Sequence, residues 1–193
     1  STNSWDAVIV SHSITTRISV PDAFKLDLID QEMSEVESAI SALEDGGFHG
    51  KLTIKAHQRK LENEKKKIEE RMDSSQSYDT VNIEEMGIDA LFIDEIDEFV
   101  NLNKVTNMGH VAGVNVKESA KARSLFYLTQ YMHDKFNNQG IVGATGTDIR
   151  NNIGDQFTLL RYLAPDLLRE QGIEMYDDFI GTFGEIQTQF EIA

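Results

Sequence analysis

Residues 90 to 99 read ALFIDEIDEF, an apolar run followed closely by Asp94, Glu95, Asp97 and Glu98. Carboxylates this close raise one another's cost of ionisation unless something positive lies between them. One carboxylate at the end of a buried strand suits magnesium, a hard octahedral ion that takes one or two protein carboxylates and completes its shell with phosphate oxygens and water. The carboxylate next to it can then orient and polarise an attacking water. Further along, GIVGATGT ends a second short apolar run in Thr145, Gly146 and Thr147. Taken singly both stretches have plain readings, since an apolar run followed by Asp-Glu arises by chance and Gly-Thr turns after strands are ordinary. Their order along the chain, with one amphipathic helix between them, is what makes them a candidate site.

The elements that would position these residues follow from periodicity. GIDALFID (87 to 94) reads as a short buried strand and GIVGAT (140 to 145) as another short apolar one. KESAKARSLFYLTQYMHDKF (117 to 136) is an amphipathic helix through Ala120, Leu125, Leu128 and Met132. Strand, crossover helix and strand make a βαβ unit, right-handed in nearly all known cases. In such a parallel sheet ligands bind at the carboxyl ends of the strands, which is where Asp94, Glu95 and Thr145 to Thr147 fall. WDAVIVSH (5 to 12) has a β-branched centre without alternation and is expected to be another strand buried on both faces, with Trp5 packed at its edge.

Between these segments the period changes. Phe24, Leu28, Ile29, Met33, Val36, Ile40 and Leu43 recur at helical spacing after Pro21 and Asp22, and Gly46 and Gly47 stop that helix. A second, polar helix is expected from about 51 to 72 with Leu52, Ile54, Leu61 and Ile68 as a thin stripe, so the pair reads as an antiparallel hairpin. SSQSYD (74 to 79) is a linker, residues 101 to 116 a loop, and the chain from about 151 is helical with breaks at Pro165 and Gly172. The expectation is an α/β fold: a partial parallel sheet with flanking helices over 1–20 and 80–193, and an inserted helical hairpin with its linker over 21–79. The histidines at 49, 57, 110 and 133 show no ligand spacing and are expected at the surface or in loops, and the aromatics at 126, 127, 131, 157, 162 and 176 are expected in the core.

Composition bounds the partners. No apolar run approaches the eighteen or so residues that cross a bilayer, and the absence of cysteine excludes disulfides and thiolate metal sites and fits a reducing cytoplasm. A net charge of −15 repels nucleic acid unless a basic patch is set apart from the rest. Such a segregation exists: residues 51 to 72 hold most of the lysines, whereas residues 79 to 98 hold eight acids and no Lys or Arg. Lys55, Arg59, Lys60, Lys65, Lys66, Lys67 and Arg71 alternate with Glu62, Glu64, Glu69 and Glu70. Charges three or four apart ordinarily make solvated helix pairs; the alternative is that the hairpin presents Lys65, Lys66 and Lys67 to DNA phosphates.

LFIDEID resembles motif II of superfamily 2 helicases, the DExD/DEAH box, and GATGTDIRNNIGDQFTLLRYLAPDLL resembles the Swi/Snf-type motif III region, T-G-T-P-x-x-N followed by a leucine-rich helix and a proline. WDAVIVSHSITTRI resembles the strand and loop just upstream of motif II. Together with NMGHVAGV and FIGTFGEI, these stretches are similar to the helicase-like portion of large phage and plasmid proteins that pair such a helicase with an adenine-specific DNA methyltransferase. The resemblance implies a RecA-like lobe working on DNA with ATP and magnesium, beside further helicase lobes and a methyltransferase domain, in a bacterial or phage-infected cytoplasm. It implies that Asp94 holds the metal, Glu95 activates the water, Asp97 couples the nucleotide to Thr145, Gly146 and Thr147, and Ser11 and His12 lie near the DNA backbone. Asp148 and Arg150 stand where relatives carry Pro and Ser. No stretch of the 193 residues matches the glycine-rich loop with Lys and Ser or Thr that cradles nucleotide phosphates, so the expectation is the latter part of a first lobe, inactive alone.

Two other classes compete. An acidic interaction module or DNA mimic would spread its carboxylates over an exposed face, whereas the helicase reading expects Asp94 and Glu95 recessed beside Thr145. A degenerate scaffold would keep the lobe and use the hairpin to recruit a protein.

Overall fold

Pro21 fixes the backbone ahead of Asp22, and its carbonyl accepts the Lys25 N–H at 3.1 Å, which starts helix α1 (Asp22–Ala42). Helix α2 (Phe48–Ser74) packs back along it. The computed structural model describes residues 5–42, 48–74, 80–106, 118–147 and 152–184. Leu43, Gly46 and Gly47, most of the linker, Gly109 and Gly113, and Asp148 and Arg150 lie outside those residues, as does the whole of NMGHVAGV. The hairpin is therefore present as expected, and its stripe is the expected one: Leu28, Ile29 and Val36 on α1 meet Ile54, Leu61 and Ile68 on α2. A side chain removed from water in this way contributes on the order of 1.5–3 kcal/mol.

The hairpin stands between two paired strands. β1 (Ile18–Ser19) and β2 (Val81–Asn82) run parallel, with Ile18 opposite Val81. Asn82 then caps the short helix α3 (Ile83–Met86), its Oδ1 accepting the Glu84 N–H at 3.1 Å. The expected βαβ unit follows: β3 (Leu91–Ile93), the crossover helix α4 (Ala120–Phe136) and β4 (Ile141–Gly143). β3 and β4 are parallel and in register, Leu91 with Ile141 and Ile93 with Gly143. A β-carbon at Gly143 would meet Ile96 Cδ1 at 2.8 Å, so glycine lets β4 lie against the turn after β3. α5 (Gly154–Leu163), α6 (Pro165–Glu170) and α7 (Tyr176–Phe183) complete the chain, with the breaks at Pro165 and Gly172 where the sequence puts them.

The result is a mixed α/β fold of parallel strands, flanking helices and a helical hairpin, consistent with part of a RecA-like lobe. One core joins its parts: the α1–α2 stripe, Ile93, Ile96 and Phe99, and the inner face of α4 from Ala122 to Met132 form a single apolar cluster. Phe157, Tyr176 and Phe179 make a smaller one under α5 and α7.

Four expectations are corrected. Residues 5–11 form no strand, and Ile9 is 98% and Trp5 71% exposed. A strand exists only as a member of a ladder, and among the described residues none runs beside this segment; the backbone turns instead into a 3-10 helix at His12–Arg17. β3 and β4 are buried on one face only, since Phe92 (76%) and Val142 point to solvent. His57 and His133 are buried rather than superficial. His133 sits on the inner face of α4 with Nε2 2.8 Å from the Tyr162 carbonyl, while its Nδ1 is buried without a hydrogen-bond partner among the described residues. Trp5 is accordingly no packing residue, whereas the aromatics at 126, 127, 131, 157, 162 and 176 are all buried.

Candidate functional site

The in-register end of β3 and β4 determines what meets there. Beyond the last pair the ladder continues through the Ala144 N–H to the Ile93 carbonyl (2.8 Å) and the Ile96 N–H to the Ala144 carbonyl (3.0 Å). Those two bonds hold the turn after β3 against the turn after β4. Glu95 takes a left-handed backbone conformation (φ 49°, ψ 48°), which reverses the chain into the 3-10 helix Ile96–Phe99. Asp97, on that helix, is 1% exposed, and Thr145 Oγ1 donates to its Oδ1 at 2.6 Å. Thr145 Oγ1 in turn accepts the Thr147 N–H at 2.9 Å, which closes the Gly-Thr turn on itself. The structure thus brings Asp97, Thr145 and Thr147 together. Gly146 is exposed at the crest of the turn, where a β-carbon would meet open space.

Asp94 and Glu95 stand at the mouth of this arrangement. Asp94 Oδ1 accepts the Glu95 N–H at 3.1 Å, which orients one carboxylate oxygen. Both residues are exposed, so the expected recess is absent; Asp97 alone is sunk beside Thr145. No cation among the described residues pairs with either. Glu98 is different, because Lys121 reaches its Oε2 at 3.0 Å while lying 5.3 Å above the Phe99 ring. Among the described residues no three His, Asp or Glu side chains converge on one point. The donor set is therefore not an all-protein metal cage; two adjacent, uncompensated carboxylates fit magnesium that arrives with phosphate oxygens and water.

One contact at this turn has no local mark in the sequence. His12 Nε2 lies 2.9 Å from the Asp94 carbonyl, and its ring meets Phe99 edge-on at 4.9 Å. The segment expected near DNA is thus bonded to the main chain of the carboxylate turn. Beside it, Ser11 Oγ meets Ser13 Oγ at 2.9 Å and the Ser11 carbonyl accepts the Ile14 N–H at 2.9 Å. Of the three lysines expected to face DNA, Lys65 is bonded to Asp30 at 2.6 Å and Lys66 pairs with Glu70 at 3.7 Å, while Lys67 borders a cleft against the lobe.

A second charged cluster, buried at Glu32 and Arg123, fastens the hairpin. Arg123 of α4 pairs with Glu32 of α1 at 2.6 Å and Glu64 of α2 at 3.3 Å, and donates to Tyr127 Oη at 2.9 Å. Arg161 of α5 reaches the other oxygen of Glu32 at 3.3 Å and the Asn103 carbonyl at 2.9 Å. Burial pushes the Glu32 carboxyl up, but Arg123 and Arg161 outweigh it and hold it below the usual range. His57, bonded to the Asn103 side chain, is pushed down to about 4, by burial first and by Arg123 and Lys60 besides, against the opposing pull of Glu32 and Glu118. The only sequence signal was an arginine on the apolar face of a helix four residues before a tyrosine.

The chain matches, over residues 1–193, the family described as a probable helicase domain. No curated protein sequence matches it. No solved structure does either. The match spans the whole sequence, and the chain belongs to this family.

Proposed function

We propose that this member of the probable helicase domain family is part of the ATPase core of an ATP-dependent DNA helicase or translocase, carrying motif II in LFIDEID and motif III in GATGT. What supports the reading is one observation: the 2.6 Å hydrogen bond from Thr145 to Asp97, which ties the turn after β3 to the turn after β4. Asp94, whose Oδ1 accepts the Glu95 N–H, would hold the magnesium of bound ATP. Bound magnesium neutralises charge building on the transferred phosphate. Glu95 orients the attacking water and accepts its proton. Asp97 and Thr145 move as one hydrogen-bonded unit, so a displacement at the nucleotide reaches the Gly-Thr turn, and Thr147 with it. His12, bonded to the Asp94 carbonyl, links the same turn to the segment that, with Ser11, approaches the DNA backbone.

A phosphate-cradling loop that no part of these residues matches is supplied by another segment. The lobe works on DNA with the remaining helicase lobes and, by its resemblance to phage and plasmid proteins, beside a methyltransferase domain.

The test is nucleotide-dependent. In a polypeptide that joins this chain to such a loop, Asp94→Asn abolishes the magnesium dependence of ATP binding. DNA-stimulated hydrolysis by the chain alone, unchanged in Asp94→Asn, contradicts the reading.

A further inference from the structure

A cleft of about 800 Å³ lies between α2, β1 and the start of α4. It is lined by Lys25, Arg59, Lys60, Lys67 and Arg123, against the carboxylates of Glu64 and Glu118. In a chain of net charge −15 this is a concentration of cations, and both carboxylates are already committed. Glu64 holds Arg123 and the Tyr127 hydroxyl (2.9 Å), and Glu118 holds Lys60. At the floor, Lys25 is bonded to Ser19 Oγ at 2.6 Å and Arg123 is locked between Glu32 and Glu64.

Arg59 and Lys67 differ from these. Each is exposed, each borders the cleft, and neither has a partner among the described residues. Two turns of α2 separate them on one face, a span of about 12 Å at 1.5 Å per residue. Lys65 and Lys66 are paired with Asp30 and Glu70, and neither borders the cleft. The interleaved charges of the hairpin are thus sorted by the fold: some are matched within the protein, and two unmatched cations overhang a space of nucleotide dimensions.

We infer that this cleft binds the sugar-phosphate backbone of a single nucleic-acid strand, with Arg59 and Lys67 contacting two phosphates along it. The inference rests on the helicase reading for its choice of partner. The physical case is charge and shape: a guanidinium fork suits phosphate oxygens, and the space admits one strand rather than a duplex. Tyr127, the aromatic ring in the lining, is buried and already bonded, so no base stacks there and binding is indifferent to sequence. Recognition through phosphates alone is steeply salt-dependent, with a slope of about −0.7 per contact on a single strand.

The experiment is fluorescence anisotropy of a labelled 20-nucleotide oligothymidylate with the 193-residue chain across a salt series, with thermal melting as a folding control. Arg59→Glu with Lys67→Glu weakens binding by about tenfold or more at low salt. Arg59→Gln with Lys67→Gln, which adds no repulsion, flattens the log-log salt slope by about 1.4, two contacts' worth. Lys65→Glu with Lys66→Glu changes affinity less than twofold. Equal losses from the two reversed pairs, or an unchanged slope in the glutamine pair, overturn the cleft while leaving the helicase reading intact. Absence of salt-dependent binding by the unaltered chain overturns the nucleic-acid partner itself. Displacement by polyglutamate as readily as by unlabelled oligonucleotide assigns the cleft to an acidic protein instead, and a loss seen with duplex but not single strand also overturns it.

Discussion

Two clusters of charge in this molecule are built in opposite ways. At the junction of hairpin and lobe, Glu32 and Arg123 are drawn out of water, Glu64 and Arg161 partly so, and each is paired with an opposite charge of the chain. At the end of β3, Asp94 and Glu95 stand exposed, and no described residue supplies a cation to either. The difference separates charges that the fold matches from charges that it leaves unmatched. Buried ions must be paired because desolvation is severe and a missing partner leaves an uncompensated charge. Exposed carboxylates at a strand end contribute little to stability, and crowding them there raises their electrostatic cost until a cation arrives.

The contrast breaks most visibly at Arg123. Replacing it by Ala leaves Glu32 and Glu64 without their shared cation and is expected to cost about 3–5 kcal/mol in urea unfolding. A loss under 1 kcal/mol would mean that the hairpin is held by its apolar stripe alone.

Next in size is a pH effect. His57 is held near 4 in the fold against 6.5 for an ordinary imidazole, so the unfolded chain binds the proton more readily and stability falls as pH drops through this window. From pH 7 to 5 the expected loss is about 2 kcal/mol. The depressed Glu32 carboxyl adds a loss of the same sign only at lower pH, below its unfolded value of 4.5. His57→Gln should therefore flatten the profile between pH 7 and 5 and leave the more acidic limb in place; an unaltered slope would assign the effect elsewhere.

Thr145→Val is expected to cost about 1–2 kcal/mol, because it removes the hydroxyl that donates to the buried Asp97. Asp94→Asn and Glu95→Gln should each change stability by no more than about 0.5 kcal/mol, the range of exposed positions away from special contacts. A large loss from either would make the strand-end cluster structural after all and erase the distinction between the two regions.

What the sequence revealed depended on how local each signal was. The hairpin and the βαβ unit were legible because Leu28, Val36, Leu61, Ile68, Leu125 and Met132 keep strict helical spacing, and that period is imposed by a single element. That the turn after β3 meets the turn after β4 was legible because two short parallel strands joined by one helix leave few ways to align their ends, whereas the pairing of Asp97 with Thr145 was implied by the resemblance to motifs II and III. The segment 5–11 misled for the converse reason: β-branched residues favour a strand, but a strand also needs a neighbour, and no local pattern specifies one. Phe92 and Val142 misled similarly, since a run of apolar residues does not say whether both faces are covered. Glu32 and Arg123 were invisible as a pair because their contact joins α1 to α4 and carries no periodic trace. The cleft was half visible: the basic run could be read, but only the fold separates Arg59 and Lys67, which are unmatched, from Lys65 and Lys66, which are paired.

Among the described residues no helix is long and apolar enough to cross a membrane.

The central claim is that the strand-end carboxylates act on nucleotide and not on the fold, and Glu95→Gln tests it most directly. In a polypeptide that supplies the phosphate-cradling loop to this lobe, DNA-stimulated ATP turnover and the melting temperature are measured on the same preparation. Turnover should fall by about a hundredfold or more, with ATP still bound and the melting temperature within a degree or so, as expected of an exposed position. Unchanged turnover, or a loss of activity that follows a loss of folded protein, would contradict the account.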